Sequence, residues 1–469
     1  MQKTLKNWNS YQLGWLLIIF SGLYLGLAFP RSYFRHDDWL IIGNVARFTP
    51  ESWKFLFEPY LIFNSIKEVW FFRPWFKLMV FLNYCFLGYH YFAWLTLNLI
   101  FTLGALILGY LSIKELSSNF SQGLLFVAFF VSSVHFHFGS LVWVGEGAMN
   151  CPQLFFLFLN GYLFSKAIRC PKKSSAISYY FSAFIAFVIS LGFKESSIFH
   201  LPFLLVILFH PQNNPLSQKS RFWLFFPYII STTIYLAFRL FYLPINPGYT
   251  PHLEIQLIVK PILFLLGSLV LPVLAITFAN SDNQANLRNT VKVFGSMGWY
   301  LLLFFPFFII YMGHGFFSPG WLLTPGMYLA YLIGLKFPLL FYNRKTIRLS
   351  LFTTLIFSSL LVFYQTQSLK WWLWYKPQRQ LVKIIDEAGS SSTQLIRLFN
   401  CEKPEQNHPS LIRVVGYNVS IQELFWLKHK TLPKVKILPC AELEHHLTAA
   451  TENSINLKWE FPELTNLNP

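Results

Sequence analysis

Long apolar runs, each about the 17 to 25 residues a helix needs to cross roughly 30 Å of hydrocarbon, recur along this chain. Lysines and arginines punctuate them. Such runs fall at 11–29, 91–113, 119–136, 150–168, 179–193, 197–210, 222–243, 255–279, 293–312, 323–342 and 349–366. The pair at 179–193 and 197–210 is short and split by a charged patch, so a hairpin that fails to span is the alternative there. With 54% hydrophobic residues and 12% charged ones, the chain has more apolar surface than a soluble core can bury, and lipid must cover the rest. These observations predict an all-α polytopic membrane protein of about eleven transmembrane helices.

Charge placement predicts the orientation. A formal charge of +17 could suggest nucleic acid, but the basic residues form no single domain, so no nucleic-acid partner is expected. Lys3, Lys6, Lys114, Lys166, Arg169, Lys172, Lys173, Lys219, Arg221, Arg288, Lys292, Arg344, Lys345 and Arg348 fall on one side of the expected spans, whereas 137–149, 244–253 and 313–322 hold no lysine or arginine. The positive-inside rule then puts the N-terminus in the cytoplasm. An odd number of passes puts the tail outside. The first apolar run lacks a small-residue cleavage site and reads as an uncleaved signal anchor.

Acids are sorted the other way. Before position 370, Glu115 and Asp282 fall in inner loops, whereas Asp37, Asp38, Glu51, Glu58, Glu68, Glu146, Glu195 and Glu254 face out. Chemistry is therefore expected at the outer face. The first outer loop, 30–90, has helical apolar spacing at Trp39, Ile42, Val45 and Ala46 and an aromatic run from Trp70 to Tyr91; both read as helices lying in the membrane interface. The boundaries expected are a transmembrane domain at 1–368 and an extracytoplasmic domain at 369–469. In the latter, TQLIRLFN, SLIRVVGYNVS and KVKILP alternate with the helical runs PQRQLVKIIDEAG and IQELFWLKH, which predicts a small α/β or α+β unit. Cys401 and Cys440 share this tail. Spacing alone leaves their pairing open.

Four blocks carry a resemblance: HDDWLIIG, FFRPWFKLMVFLNYCFLGYHYFAWLTLNL, VHFHFGSLVWVGEG and LGFKESSIFHLP. Their order and spacing over roughly the first 210 residues resemble the GT-C membrane glycosyltransferases of the protein O-mannosyltransferase type, especially the membrane half of the transmembrane and tetratricopeptide repeat O-mannosyltransferases. The matching positions are Asp37 or Asp38, then Arg73, Pro74, Asn83, Tyr84, Gly88 and Asn98, then His137 and Trp143, then Lys194, Glu195 and Pro202. The resemblance implies a GT-C-like fold and transfer of a sugar from a polyprenyl-phosphate donor. Two departures limit it. HGFFSPGWLLTPGM has no arginine where the family carries one, and the tail shows no 34-residue helical repeat, so acceptor specificity does not carry over.

Such a transfer needs a base for the acceptor hydroxyl, positive charge for the departing phosphate, and a water-poor site. One carboxylate base suffices when the configuration inverts, by analogy with glycoside hydrolases. Asp37 is the expected base. Asp38 could orient it, make it more basic by like-charge repulsion, or help bind a divalent cation. The structural alternative is an acidic helix N-terminus satisfying orphan amides. Arg73, Lys194, Glu195, Arg239, Lys260 and His314 are the candidates for donor-phosphate or acceptor binding. Lys194 and Glu195 read equally as a structural interfacial pair, and Arg73 as a snorkelling anchor. His135, His137 and Glu146 lack tight metal-ligand spacing. The competing function is a transporter or flippase for a lipid-linked saccharide, although no inverted repeat supports it. The acceptor could be protein, lipid or glycan.

Overall fold

The computed structural model describes residues 33–34, 36–49, 53–58, 60–64, 67–117, 143–208, 218–241, 323–336, 376–387, 395–401, 418–448, 454–460 and 463–467, with single positions at 19, 122–123, 126–127, 129–130, 255, 259–260, 262–263, 393 and 415. In chain order the main elements are α1 (His36–Phe48), β1 (Tyr60–Asn64), β2 (Lys67–Phe71), α2 (Pro74–Leu87), α3 (Tyr91–Ser117), α4 (Val144–Arg169), α5 (Lys173–Phe193), α6 (His200–Leu208), α7 (Gln218–Phe241) and α8 (Leu323–Lys336). The tail adds α9 (Lys376–Glu387), β3 (Leu395–Asn400), α10 (Asn418–His429), β4 (Lys434–Pro439), α11 (Leu443–Thr448), β5 (Ser454–Glu460) and β6 (Glu463–Asn466). The chain divides into two compact units. One contains Met1–Leu27, Thr96–Leu141 and Met149–Val362; the other contains Ala28–Leu95, Val142–Ala148 and Phe363–Pro469.

The first unit is helical. Among the described residues three helices are long and apolar enough to cross a membrane, Tyr91–Ser117, Lys173–Phe193 and Phe222–Arg239, and they mark the chain as membrane-associated. This overturns the expected all-α body of about eleven spans. The run at 150–168 lies in α4, which is 26 residues long but carries Asn150, Gln153, Asn160 and Ser165 buried along it, too polar to qualify. The run at 197–210 becomes a 3-10 turn, Glu195–Phe199, followed by a helix of 9 residues. The run at 323–342 gives a helix of 14 residues, about 21 Å at 1.5 Å per residue and short of the hydrocarbon thickness. The runs at 11–29, 255–279, 293–312 and 349–366, and most of 119–136, lie outside the described residues. Hydropathy reports where apolar residues cluster, not where a helix breaks.

Aromatic rings fill the core of this unit. Phe203 stacks on Tyr328 with centroids 4.6 Å apart, and Phe126 on Phe158 at 5.9 Å. Several of its buried polar groups are paired into neutral networks, since an unmet polar group away from water is costly. His200 Nε2 meets Asn160 Oδ1 at 2.7 Å, and His200 Nδ1 meets Tyr328 Oη at 2.6 Å. Asn160 Nδ2 donates to Ala183 O and Tyr228 Oη. Ser112 Oγ joins Ser165 Oγ and Tyr331 Oη. Lys114, Lys166 and Arg169 sit in the last turns of α3 and α4, where the helix dipole favours cations. Arg169 Nη2 donates to Leu116 O and ties those two ends together.

The second unit joins the first long loop to the tail. Its four-stranded sheet has the order β4-β3-β5-β6. β3 runs parallel to β4 and β5, and β6 closes antiparallel on β5. Ile396, Leu398, Phe399, Leu457 and Trp459 are buried from it. Cys401 and Cys440 follow the paired ends of β3 and β4, where Asn400 registers with Pro439, and they form a disulfide with a Cα–Cα distance of 4.7 Å. The sheet lies in the tail, where the sequence predicts a small α/β or α+β unit. The loop itself also pairs, as the antiparallel hairpin β1–β2. The apolar face of α1 does not meet lipid, as an interfacial helix would. Trp39, Ile42, Val45 and Ala46 are all buried, because α10 of the tail packs along α1.

Candidate functional site

The acid pair sits in the first turn of α1, where carboxylates suit the positive end of the helix dipole. The two acids face different surroundings. Asp38 is fully buried, and its Oδ1 accepts the backbone N–H of Gly145, the second residue of α4, at 2.5 Å. It thereby satisfies one of the amides left unpaired where α4 begins. The approach is close: a Cβ at 145 would lie 2.9 Å from Asp38 Oδ1 and 3.0 Å from Ile41 Cδ1 and would push those side-chain ends aside. Asp37, one residue earlier, is half-exposed, as is Glu146 next to Gly145.

Tail residues hold α1 in place. Gly43 lets α10 approach so closely that a Cβ there would meet Glu423 Cβ at 2.6 Å. One turn along, Arg47 Nη2 donates to Glu423 Oε1 across the same crossing. Burial pushes the Glu423 carboxyl up, and the Arg47 guanidinium opposes that shift. Trp39 Nε1 donates to Gln378 Oε1 of α9 at 2.8 Å, and Gln378 Nε2 donates on to Val415 O. Tyr89 Oη donates to Leu427 O at 2.9 Å. The acidic helix is thus fixed by two tail helices through contacts more than 330 residues apart in sequence.

α2 packs against α1 from the loop side. Its N-cap is Arg73, which is 8% exposed, followed by Pro74 at the first helical position, where a missing N–H costs nothing. One turn on, Lys77 is fully buried. Its Nζ donates to Phe55 O and, at 2.6 Å, to Glu58 O, and it lies 4.3 Å from the Phe55 ring centroid. Burial lowers this amine to about 8, against the opposing pull of Glu58. Lys77 therefore ties the 3-10 turn Trp53–Phe57 down onto α2.

Of the expected site residues, Asp37, Asp38 and Arg73 belong to this unit, and Lys194, Glu195, Arg239 and Lys260 to the helical one. Lys194 Nζ donates to Asn150 Oδ1 at 2.8 Å, and its carbonyl accepts from Gln153 Nε2, which also reaches Ser196 Oγ and Ser197 Oγ at 2.9 Å each. Glu195 is half-buried at the head of the 3-10 turn. Arg239 is half-exposed near the end of α7, and Lys260 is exposed. His135, His137 and His314 lie outside the described residues. Among the described residues no group of three or more His, Cys, Asp and Glu gathers as a metal site. Gly145, Gln378 and Glu423 are further positions that shape the acid pair. Only Gly145, in the GEG run, has a local signal, since a glycine at a helix start marks close approach.

One carboxylate closes a helix end, and its neighbour is half-exposed on a helix held by the tail. No protein-family model matches the chain, and no curated protein is found similar to it.

Proposed function

We propose that the chain transfers a sugar from a polyprenyl-phosphate donor to a hydroxyl acceptor with inversion, with Asp37 as the general base. The observation that carries this reading is the division between the two acids: Asp38 binds Gly145 N and Asp37 remains half-exposed beside it. In the reaction the Asp37 carboxylate takes the acceptor proton as the acceptor oxygen attacks the anomeric carbon. The bond from that carbon to the phosphate oxygen breaks, and the phosphate leaves with its electron pair. A cation must stabilise that charge; Arg73, in the same unit as the acids, is the residue assigned to it. Asp38 is a positioning residue that holds α1 against the start of α4.

For topology, we propose a multi-pass protein with the N-terminus in the cytoplasm and the tail outside. Two observations support this. The Cys401–Cys440 disulfide suits an oxidising compartment, and the candidate span α3 carries Lys114 in its last turn as a cytoplasmic end does.

The test is transfer of a labelled sugar in proteoliposomes at matched expression. Asp37→Asn should lower turnover about 100- to 10,000-fold with donor affinity kept. Asp38→Asn keeps an acceptor for Gly145 N and should lose less than about tenfold. Near-normal turnover in Asp37→Asn would remove Asp37 as the base. Sugar movement across the bilayer without transfer would favour the transporter reading.

A further inference from the structure

In the second unit, Tyr33 and the solvent face of α9 enclose an open cleft of about 700 Å³, within the size range of small-ligand sites. Charge along the cleft is segregated. Lys376, Arg379 and Lys383 follow one another at helical spacing over its first two turns, and Asp386 and Glu387 close its last turn. Bases at the amino end and acids at the carboxyl end run against the helix dipole, so local helix stability does not account for the pattern. Surface partners offset part of it: Lys376 pairs with Glu463, Lys383 with Glu387, and Lys428 with Asp386. Across the cleft, the Tyr33 ring is braced by Phe34, Trp39 and Tyr91 at centroid distances of 5.5, 6.3 and 5.7 Å. A rigid aromatic wall faces a polar helix.

We propose that this cleft binds a sugar phosphate. The phosphate lies at the Lys376–Arg379 end, where a guanidinium can grip two oxygens at once. The sugar's C–H face covers Tyr33, and its hydroxyls donate toward Asp386 and Glu387. A simple anion site would not place acids at one end, and a simple sugar site would not need the basic stripe. Naming the sugar's origin rests on the transfer reading, in which Arg73 takes the departing phosphate at the reaction site; the cleft then holds either the headgroup of the lipid-linked donor before it reaches that site or a phosphorylated acceptor glycan. Tyr33 lies only four residues before Asp37, which puts the cleft at the chain entry to the acidic helix.

Binding can be measured apart from transfer, by saturation-transfer NMR on the full chain in detergent. The probes are mannose 1-phosphate, glucose 1-phosphate, free mannose and inorganic phosphate. A hexose phosphate should bind about tenfold more tightly than mannose or phosphate alone. Arg379 is exposed, and Arg379→Ala, checked for an unchanged denaturation midpoint, should weaken binding about tenfold or more, with partial recovery in Arg379→Lys. Tyr33→Ala should reduce saturation of the sugar protons more than it reduces phosphate affinity. Stronger competition by a farnesyl-phosphate mannose than by mannose 6-phosphate identifies the donor headgroup; the reverse identifies a phosphorylated acceptor. Equal affinity for inorganic phosphate and hexose phosphate, or binding unchanged in Arg379→Ala, would overturn the proposal. Asp37→Asn should bind normally. If the wild type binds hexose phosphate but transfers no labelled sugar in proteoliposomes, the transfer reading fails and the cleft stands.

Discussion

The two units stabilise buried polarity in opposite ways. In the helical unit, Asn160, His200, Tyr228 and Tyr328 form a network with no formal charge in it, the cheapest way to satisfy polar groups in a dry interior. The second unit uses ions. Arg47 meets Glu423, Asp38 closes a helix end, and Lys77 is buried on two carbonyls. A disulfide adds a covalent link. Neutral networks suit a membrane body, and charged clamps suit a domain with water nearby. The second unit should therefore respond to reductant, pH and charge deletion, and the first should respond mainly to loss of a hydrogen-bond partner.

Removing the disulfide should have the largest effect on stability. It closes a separation of 39 residues, and the chain-entropy relation gives about 4 kcal/mol for a loop of that size. Cys401→Ala with Cys440→Ala should lower the resistance of the tail to denaturant and protease, with the transition of the helical unit unmoved. A common shift of both transitions would break the contrast.

Deleting one clamp charge should come next. Glu423→Ala leaves Arg47 without its partner at a crossing that is 3% exposed on the glutamate side, a loss of about 3 kcal/mol. Chemical denaturation followed at Trp39 would read it. In the helical unit, Asn160→Leu takes a partner from the buried Tyr228 and His200 groups, and should cost about 2 kcal/mol while leaving the tail transition in place.

The pH dependence also separates the units. Lys77 titrates at about 8 when folded and at 10.5 when unfolded. Between those values the unfolded chain holds more protons, so stability should rise with pH across that window and level off above it. Lys77→Met should flatten the rise. Glu423 is shifted upward, so its contribution should be full below its unfolded value and lost as pH rises through the folded one; Glu423→Gln should remove that dependence. A steeper fall of stability with acid in the wild type than in Glu423→Gln would contradict the assignment.

Local features were legible in the sequence and distant ones were not. The spacing of Trp39, Ile42, Val45 and Ala46 predicts a helix, and α1 occupies His36–Phe48. PQRQLVKIIDEAG and IQELFWLKH correspond to α9 and α10, and KVKILP to β4. What covers α1 was misread. Its apolar face looked like a lipid contact because its true partner, α10, lies some 380 residues away and carries no matching local signal. Gly43 reads as a weak helix residue until Glu423 is seen against it. The span count failed for another reason. An apolar run does not show the break at Lys194, where α5 gives way to a 3-10 turn, and reading 150–168 by its leucines and phenylalanines passes over the polar residues buried along α4. At the acid pair, the sequence offers Asp37 and Asp38 alike, and only burial and the Gly145 contact give the two adjacent aspartates different surroundings.

The account rests on the tail holding the acidic helix in place, and hydrogen exchange measured by mass spectrometry over residues 36–48 tests that directly. In the wild type these amides should exchange as slowly as those of α10. In Glu423→Ala combined with Gln378→Ala, which removes the contacts to Arg47 and Trp39, exchange across α1 should speed up by about a hundredfold, as expected for a loss of roughly 3 kcal/mol, while α3 and α5 keep their rates. Unchanged protection of α1 in that double variant would contradict the account.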